Sequence, residues 1–303
     1  MQNSRTIDWQ LYLQAGTSIV SVWVEQMLGP CTSHESGTQC TDEKSKIEPT
    51  RVFLIGSMIR FDILSSLTRS SKPVLSEQYQ RLLQIPCCGI SVEAVLGCQN
   101  WVMRTVLKVY SLRDWKEEAR TVGILSMWEL MWKAQEIKQS LEVEISLNLE
   151  KMNKYKQEPS NDKGENKEYR HSLYDVLVVT HIFACAVSIL LEVVVSGAWP
   201  KLPEIKHEVS RAIESYAYIN NPDLLHVLRW PLYVAGCLAA PEQQEFFRSI
   251  LSSPNVTRIG IFQESLELIE ECWQMSREVG SSNAGPENSP VHRFLTRDDI
   301  LIA

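Results

Sequence analysis

The chain has 303 residues, 44% of them apolar and 22% charged, with a formal net charge of −7. That size and balance suit one large globular domain or two small ones, and 13 Pro and 13 Gly are few for an all-β chain with many turns. The acidic surplus argues against a duplex-binding surface over the bulk of the chain, because phosphate contacts need clustered Lys and Arg.

Apolar residues recur at helical spacing almost from end to end. Leu11, Ala15, Ile19, Val22 and Gln26 step by three and four beside Trp23 and Met27, and predict a first helix. Residues Gly29 to Glu48 are rich in Ser, Thr, Gly and charge and read as a flexible loop. Val52, Ile55, Ile59 and Ile63 predict the next helix, and Val95, Cys98, Val102, Val106 and Val109 another. The longest stripe is Leu130, Ala134, Ile137, Leu141, Ile145 and Leu149, with Glu129 and Lys133 as a favourable i,i+4 pair on the other side. Residues Lys151 to Arg170 carry few apolar anchors and are expected to be a second flexible loop, the place where proteolysis would cut first.

Leu173 to Val195 is almost continuously apolar. Asp175, His181 and Glu192 interrupt it, and each would cost roughly 2.5 kcal/mol or more in hydrocarbon, which favours a buried helix over a membrane span. Ile205, Val209, Ala212, Tyr216 and Ile219 form one more stripe, and Phe262, Leu266, Ile269 and Trp273 the last clear one. Gly280 to Pro290 reads as a flexible segment. Strict two-residue alternation is hardly seen. The expected class is therefore all-α: a single domain over residues 1–303, about ten helices, with long flexible loops.

The most distinctive run is Asn220 to Cys237. Asn221-Pro222-Asp223 supplies a cap, a first-turn proline and an early acid, so a helix should start there. Pro231 removes a backbone donor within the apolar run that follows, so that helix should kink or break at Pro231. Gly236 and Cys237 permit close packing.

The patterns for a nucleophile elbow, a zinc protease, a P-loop and a dinucleotide turn do not occur in the sequence. His181 and Cys185 share a helix face but have apolar neighbours, which favours core packing over metal ligation, and no metal or cofactor is expected. The eight cysteines form no Cys-x-x-Cys, and no apolar leader follows the polar start, which suggests a reducing intracellular setting. Cys87-Cys88 reads as two ordinary thiols, and Asn255-Val256-Thr257 as a chance sequon. Glu264, Glu267, Glu270 and Glu271 read as a solvated helix face, and Trp128, Met131 and Trp132 as core.

Four phrases together resemble the regulatory domain of fungal zinc-cluster transcription factors. They are Phe61-Asp62-Ile63-Leu64-Ser65-Ser66-Leu67-Thr68 followed by Pro73, Gly97-Cys98-Gln99-Asn100-Trp101, Leu112-Arg113-Asp114-Trp115, and Trp230-Pro231-Leu232-Tyr233-Val234-Ala235-Gly236-Cys237. The likeness runs from about residue 50 to about residue 280, in the family's order. It implies an all-helical regulatory module acting in the nucleus or shuttling to it. It also implies a protein partner in transcription and a small apolar ligand as binding partners. The motif residues Phe61, Asp62, Gly97, Cys98, Trp101, Trp115, Trp230, Pro231, Gly236 and Cys237 are expected to be structural, with no catalytic residue among them. Family members of this kind carry a six-cysteine zinc cluster that reads DNA; none occurs in this sequence. Direct DNA binding is accordingly not expected of this chain. The alternative is an all-α ligand-binding protein or enzyme of fungal secondary metabolism.

Overall fold

A helix that is apolar all round needs cover on every side. The computed structural model supplies that cover for α7 (Asn166–Ser196) with α5 (Asn100–Val122), α6 (Met127–Gln157), α8 (Pro203–Ser215) and α9 (Arg229–Cys237). The structure describes residues 4–28, 49–68, 72–84, 92–157, 166–252, 261–279 and 291. Among these there is no strand. Every side chain from Leu177 to Glu192 is buried. Leu173–Ser196 is long and apolar enough to cross a membrane, yet most of it is enclosed by the other helices. The groups that interrupt it are housed: Glu192 meets Lys138 at 2.6 Å, and His181 packs edge-on against Tyr218.

On one side of α9 lie α10 (Gln244–Leu251) and α11 (Ile261–Val279). At the other end α1 (Ser4–Leu28), α2 (Pro49–Thr68), α3 (Ser76–Leu82) and the single turn α4 (Glu93–Leu96) pack on one another and reach α5. One cluster of buried apolar side chains runs from α1 through α11.

Four expectations are corrected. In α1 the buried stripe is Leu13, Thr17, Val20 and Val24, while Ala15, Ile19 and Val22 face outward. Both sides of α1 carry apolar residues, and which one is covered is set by where α2 and α3 lie, which periodicity within α1 does not state. Gly16 faces α2, where an added Cβ would sit 2.6 Å from the mobile end of Met58.

The segment Lys151 to Arg170 is not a loop throughout, because α6 continues to Gln157 and α7 begins at Asn166. Met152 is buried and Tyr155 packs on the core, so these few anchors hold the last turns while the lysines face water. The middle of that segment, like Gly29 to Glu48, Gly280 to Pro290, Cys87-Cys88 and the sequon, lies outside the described residues.

Asn221 does cap a helix, its Oδ1 accepting the Asp223 N–H at 3.1 Å, but that helix is a short 3-10 segment, Pro222–His226. The chain breaks at Val227 and Leu228, before Pro231, which sits in the first turn of α9 where its missing N–H costs no hydrogen bond. The fourth correction concerns Trp128, Met131 and Trp132, which are exposed. The α6 residues turned to α5 and α7 are Leu130, Ala134, Leu141 and Ile145, on the opposite side of the helix.

Candidate functional site: a part-buried ionic seam and an exposed tryptophan face

The motif residues do not converge on one cleft. Asp62 is fully buried, its carboxylate accepting the Val74 N–H at 2.9 Å and its carbonyl accepting the Ser66 hydroxyl at 2.6 Å, which ties α2 to the turn before α3. Its neighbour Phe61 is half exposed, with the Arg60 guanidinium over its ring. Gly97 ends α4 with φ 68°, the left-handed region in which a side chain is strained. Cys98 is buried, and burial drives its thiol far upward, so it stays protonated. The Trp101 indole donates to Gln99 Oε1 at 2.9 Å, while the Gln99 N–H donates to the Thr180 hydroxyl of α7 at 3.1 Å. Trp115 lies half-buried under the Lys133 ammonium, 5.1 Å from its ring centre.

The α9 residues form a separate seam. Trp230 stacks on Phe183 of α7 with ring centres 5.5 Å apart. Near the end of α9 the Gly236 carbonyl accepts the Trp273 indole at 2.7 Å, and the Cys272 thiol points at the Cys237 carbonyl at 3.6 Å. The Gly236 carbonyl also accepts the Ala239 N–H at 3.1 Å, so the Trp273 indole uses the second lone pair of a carbonyl in the last turn. Helix α11 can approach because Gly236 has no Cβ: one placed there would lie 2.7 Å from Ile269 Cδ1.

Two further features were not found by sequence reasoning. The first is an ionic seam where α6, α7 and α8 meet. Arg211 makes a paired contact with Glu142 at 2.7 and 3.0 Å and reaches Glu208 at 3.2 Å. Lys138 bonds Glu192 at 2.6 Å and stands 3.9 Å from Glu208. Burial raises the Glu208 carboxyl, with Arg211 and Lys138 opposing that shift. Burial works against the Arg211 and Lys138 charges, but their carboxylate partners outweigh it and hold both cations above their ordinary range.

Beneath the seam, burial and the Arg211 charge push His181 down to about 4, so it is neutral at neutral pH. Burial pushes Cys185 up to about 12, so the pair is an imidazole beside a thiol rather than an activated thiolate. No group of three or more His, Cys, Asp or Glu side chains among the described residues could hold a metal ion.

The second feature is the outer face of α6. Gly123, at φ 78°, ends α5, and the Ser126 hydroxyl accepts the Glu129 N–H at 3.3 Å to start α6. This well-fastened turn presents Ile124 at 72% exposure, with Met127 and Trp128 after it. Trp128 is 76% exposed and Trp132 50%. Such rings usually shed water on binding something, and a cluster of them is the chemical signature of a contact surface. The pattern was visible as Trp-x-x-x-Trp, but nothing local showed which side of the helix would be covered.

The sequence model of the fungal specific transcription factor domain matches residues 1–288. Transcription factor ntnD of a Nectria species is 47% identical over 99% of this chain and 48% of its own length. A trichothecene biosynthesis transcription regulator of Fusarium sporotrichioides is 30% identical over 91% of this chain and 60% of its own. The ustiloxin B cluster transcription factor of Aspergillus flavus is 28% identical over 76% of this chain and 37% of its own. The chain thus spans about half the length of these relatives. No solved structure matches it. With the domain matched over residues 1–288, and helices but no strand among the described residues as the resemblance implied, the chain belongs to the fungal specific transcription factor domain family.

Proposed function

We propose that the helices act as one regulatory unit that controls transcription of a secondary-metabolite gene cluster, in the nucleus and through a protein partner. The observation that carries this reading is the family match through residues 1–288, which takes in the whole helical body. The relatives named for trichothecene biosynthesis and for the ustiloxin B cluster support the secondary-metabolite part.

Several described side chains that could do chemistry are otherwise engaged. Glu142, Glu192 and Glu208 are in ion pairs, and Cys98 and Cys185 are protonated thiols. That favours regulation over catalysis. The motif residues serve as caps and packing joints, as Asp62, Gly97, Trp230 and Gly236 do here. The net charge of −7 speaks against specific duplex binding by these helices themselves. A conformational change on binding a partner or a small apolar ligand would shift helix packing and so the output.

The test is genetic. Deleting the gene should silence or release a contiguous set of biosynthetic genes, and re-expressing this chain should restore their control. Unchanged transcripts across the genome would overturn the reading.

A further inference from the structure

Two half-buried arginines of this fold each face a carboxylate. Arg113 bonds Asp114 at 3.1 Å, and Arg211 holds Glu142 with two bonds. Arg60 and Arg229 differ: both are half-buried, and neither forms an ion pair among the described residues. Arg60 makes one long bond, its Nη1 donating to the Val95 carbonyl at 3.4 Å. The Nε of Arg229 is wholly buried and has no hydrogen-bond partner among the described residues. A guanidinium carries five N–H donors and no acceptor, so much of this donor capacity is unspent.

The fold brings the two arginines together. Val95 belongs to α4, and the Gly97 that ends α4 lies against α7, where a Cβ on it would stand 3.6 Å from the Val179 Cγ1. One turn further along the same face of α7, Phe183 stacks on Trp230, the residue after Arg229. The end of α4, which Arg60 holds, and the start of α9, which carries Arg229, are therefore neighbours on α7. The Arg60 charge is felt at Arg229, where it adds to burial in lowering that guanidinium below its ordinary range. Glu264 of α11 opposes the shift, but it is exposed and makes no ion pair with either arginine.

Helix α9 adds to the same positive pole. It starts at Arg229 with no side chain capping its first N–H groups, and the helix dipole is positive there. Like charges held together out of water oppose one another, and an anion received between them relieves both. Planar guanidinium forks match the oxygens of a carboxylate or of a phosphate. The local charge decides between the two. Two arginines and one glutamate leave a net charge of +1, which a monocarboxylate neutralises and a phosphate dianion overshoots. The half-exposed Phe61 ring beside Arg60 offers an apolar flank for the body of such an acid.

We infer that Arg60 and Arg229 form a binding site for a small organic acid, which they hold by its single carboxylate. The inference concerns a ligand and does not depend on the regulatory reading. Its test reads binding to the purified chain rather than transcription, so either can fail without the other.

The full chain is titrated with benzoate at constant ionic strength while its melting temperature is followed. Benzoate should raise that temperature saturably, because a ligand that binds only the fold stabilises it. Benzyl alcohol, the same ring without the charge, should leave it unmoved, and inorganic phosphate should act more weakly than benzoate. Arg60→Gln and Arg229→Gln should each raise the benzoate Kd by about tenfold or more, the loss of a charge-assisted hydrogen bond. Lys201→Gln, at an exposed turn, should leave it unchanged. The two arginines lie on different helices, so one variant still tests the site if circular dichroism shows the other misfolded. No saturable shift with benzoate, an equal shift with benzyl alcohol, or an unchanged Kd in a folded arginine variant would overturn the site. Phosphate binding as tightly as benzoate would overturn the carboxylate class.

Discussion

Helices α6 and α7 are equally long, at 31 residues each, and both carry a continuous apolar stripe. Their fates differ. The fold covers α7 on all sides, so even its His181 and Glu192 are taken inside and neutralised or paired. It covers α6 on one side only, and what remains outside includes tryptophan, valine and leucine among charged residues such as Glu136 and Glu150. The contrast shows that an apolar residue reports a need for cover without saying who provides it. For α7 the provider is the rest of the chain, and on the outside of α6 Trp128 and Trp132 stay exposed.

The largest effect that would break this contrast belongs to the interior. Trp230 is nearly fully buried and stacked on Phe183, so Trp230→Ala leaves a cavity between α7 and α9. The expected loss is about 3–5 kcal/mol in urea denaturation. A loss below about 1 kcal/mol would mean that this joint relaxes like a surface.

Acid probes the same interior. His181 protonates at about 4 in the fold, against the ordinary 6.5, because burial and Arg211 oppose its charge. Between those values the unfolded chain binds the extra proton, so the contribution is complete above 6.5 and is lost as pH falls toward 4. Its full size is about 3 kcal/mol, with about 2 kcal/mol lost by pH 5. Glu208 acts in the opposite sense above 4.5, since its carboxyl is raised, and trims this loss. His181→Leu should therefore flatten the fall in stability between pH 7 and pH 5. Equal slopes in the two proteins would show that the imidazole reaches water.

A smaller effect tests the α9–α11 joint. In Gly236→Ala the new Cβ meets Ile269 Cδ1 at 2.7 Å and the rest of that side chain at 3.3 and 3.4 Å. Ile269 is fully buried and has little room to move, so the cost should be about 1–3 kcal/mol. Adding Ile269→Val removes the colliding methyl and should recover most of it, giving a clear coupling in a double-mutant cycle. If the two changes simply add, the joint is looser than this geometry.

The legible part of the fold was what one helix decides for itself. The stripe Val52, Ile55, Ile59, Ile63 and the stripe Ile205, Val209, Ala212, Tyr216 are where the pattern put them, as is the Glu129–Lys133 pair at 3.4 Å. Whatever depends on a second element was not legible. In α1 two apolar stripes competed, and the position of α2 and α3, not periodicity, set which one is covered. The lysines after Leu149 looked like loop because single anchors such as Met152 count for little until α7 lies beside them. The ionic seam joins Lys138, Glu142, Glu192, Glu208 and Arg211 from three helices, and spacing within one helix cannot announce such a meeting. Of the phrases that carry the family resemblance, several are joints of this kind, with Gly97 a cap and Gly236 a close approach.

The smallest expected effect is the most direct test of the contrast. Trp128 has the same side chain as Trp230 but is 76% exposed. Trp128→Ala should change stability by no more than about 0.5 kcal/mol in urea denaturation, because the exposed ring has few contacts to lose. A core-sized loss would mean that the chain itself covers this ring. The distinction between the two helices would then fall, because the outer face of α6 would be one more part of the core.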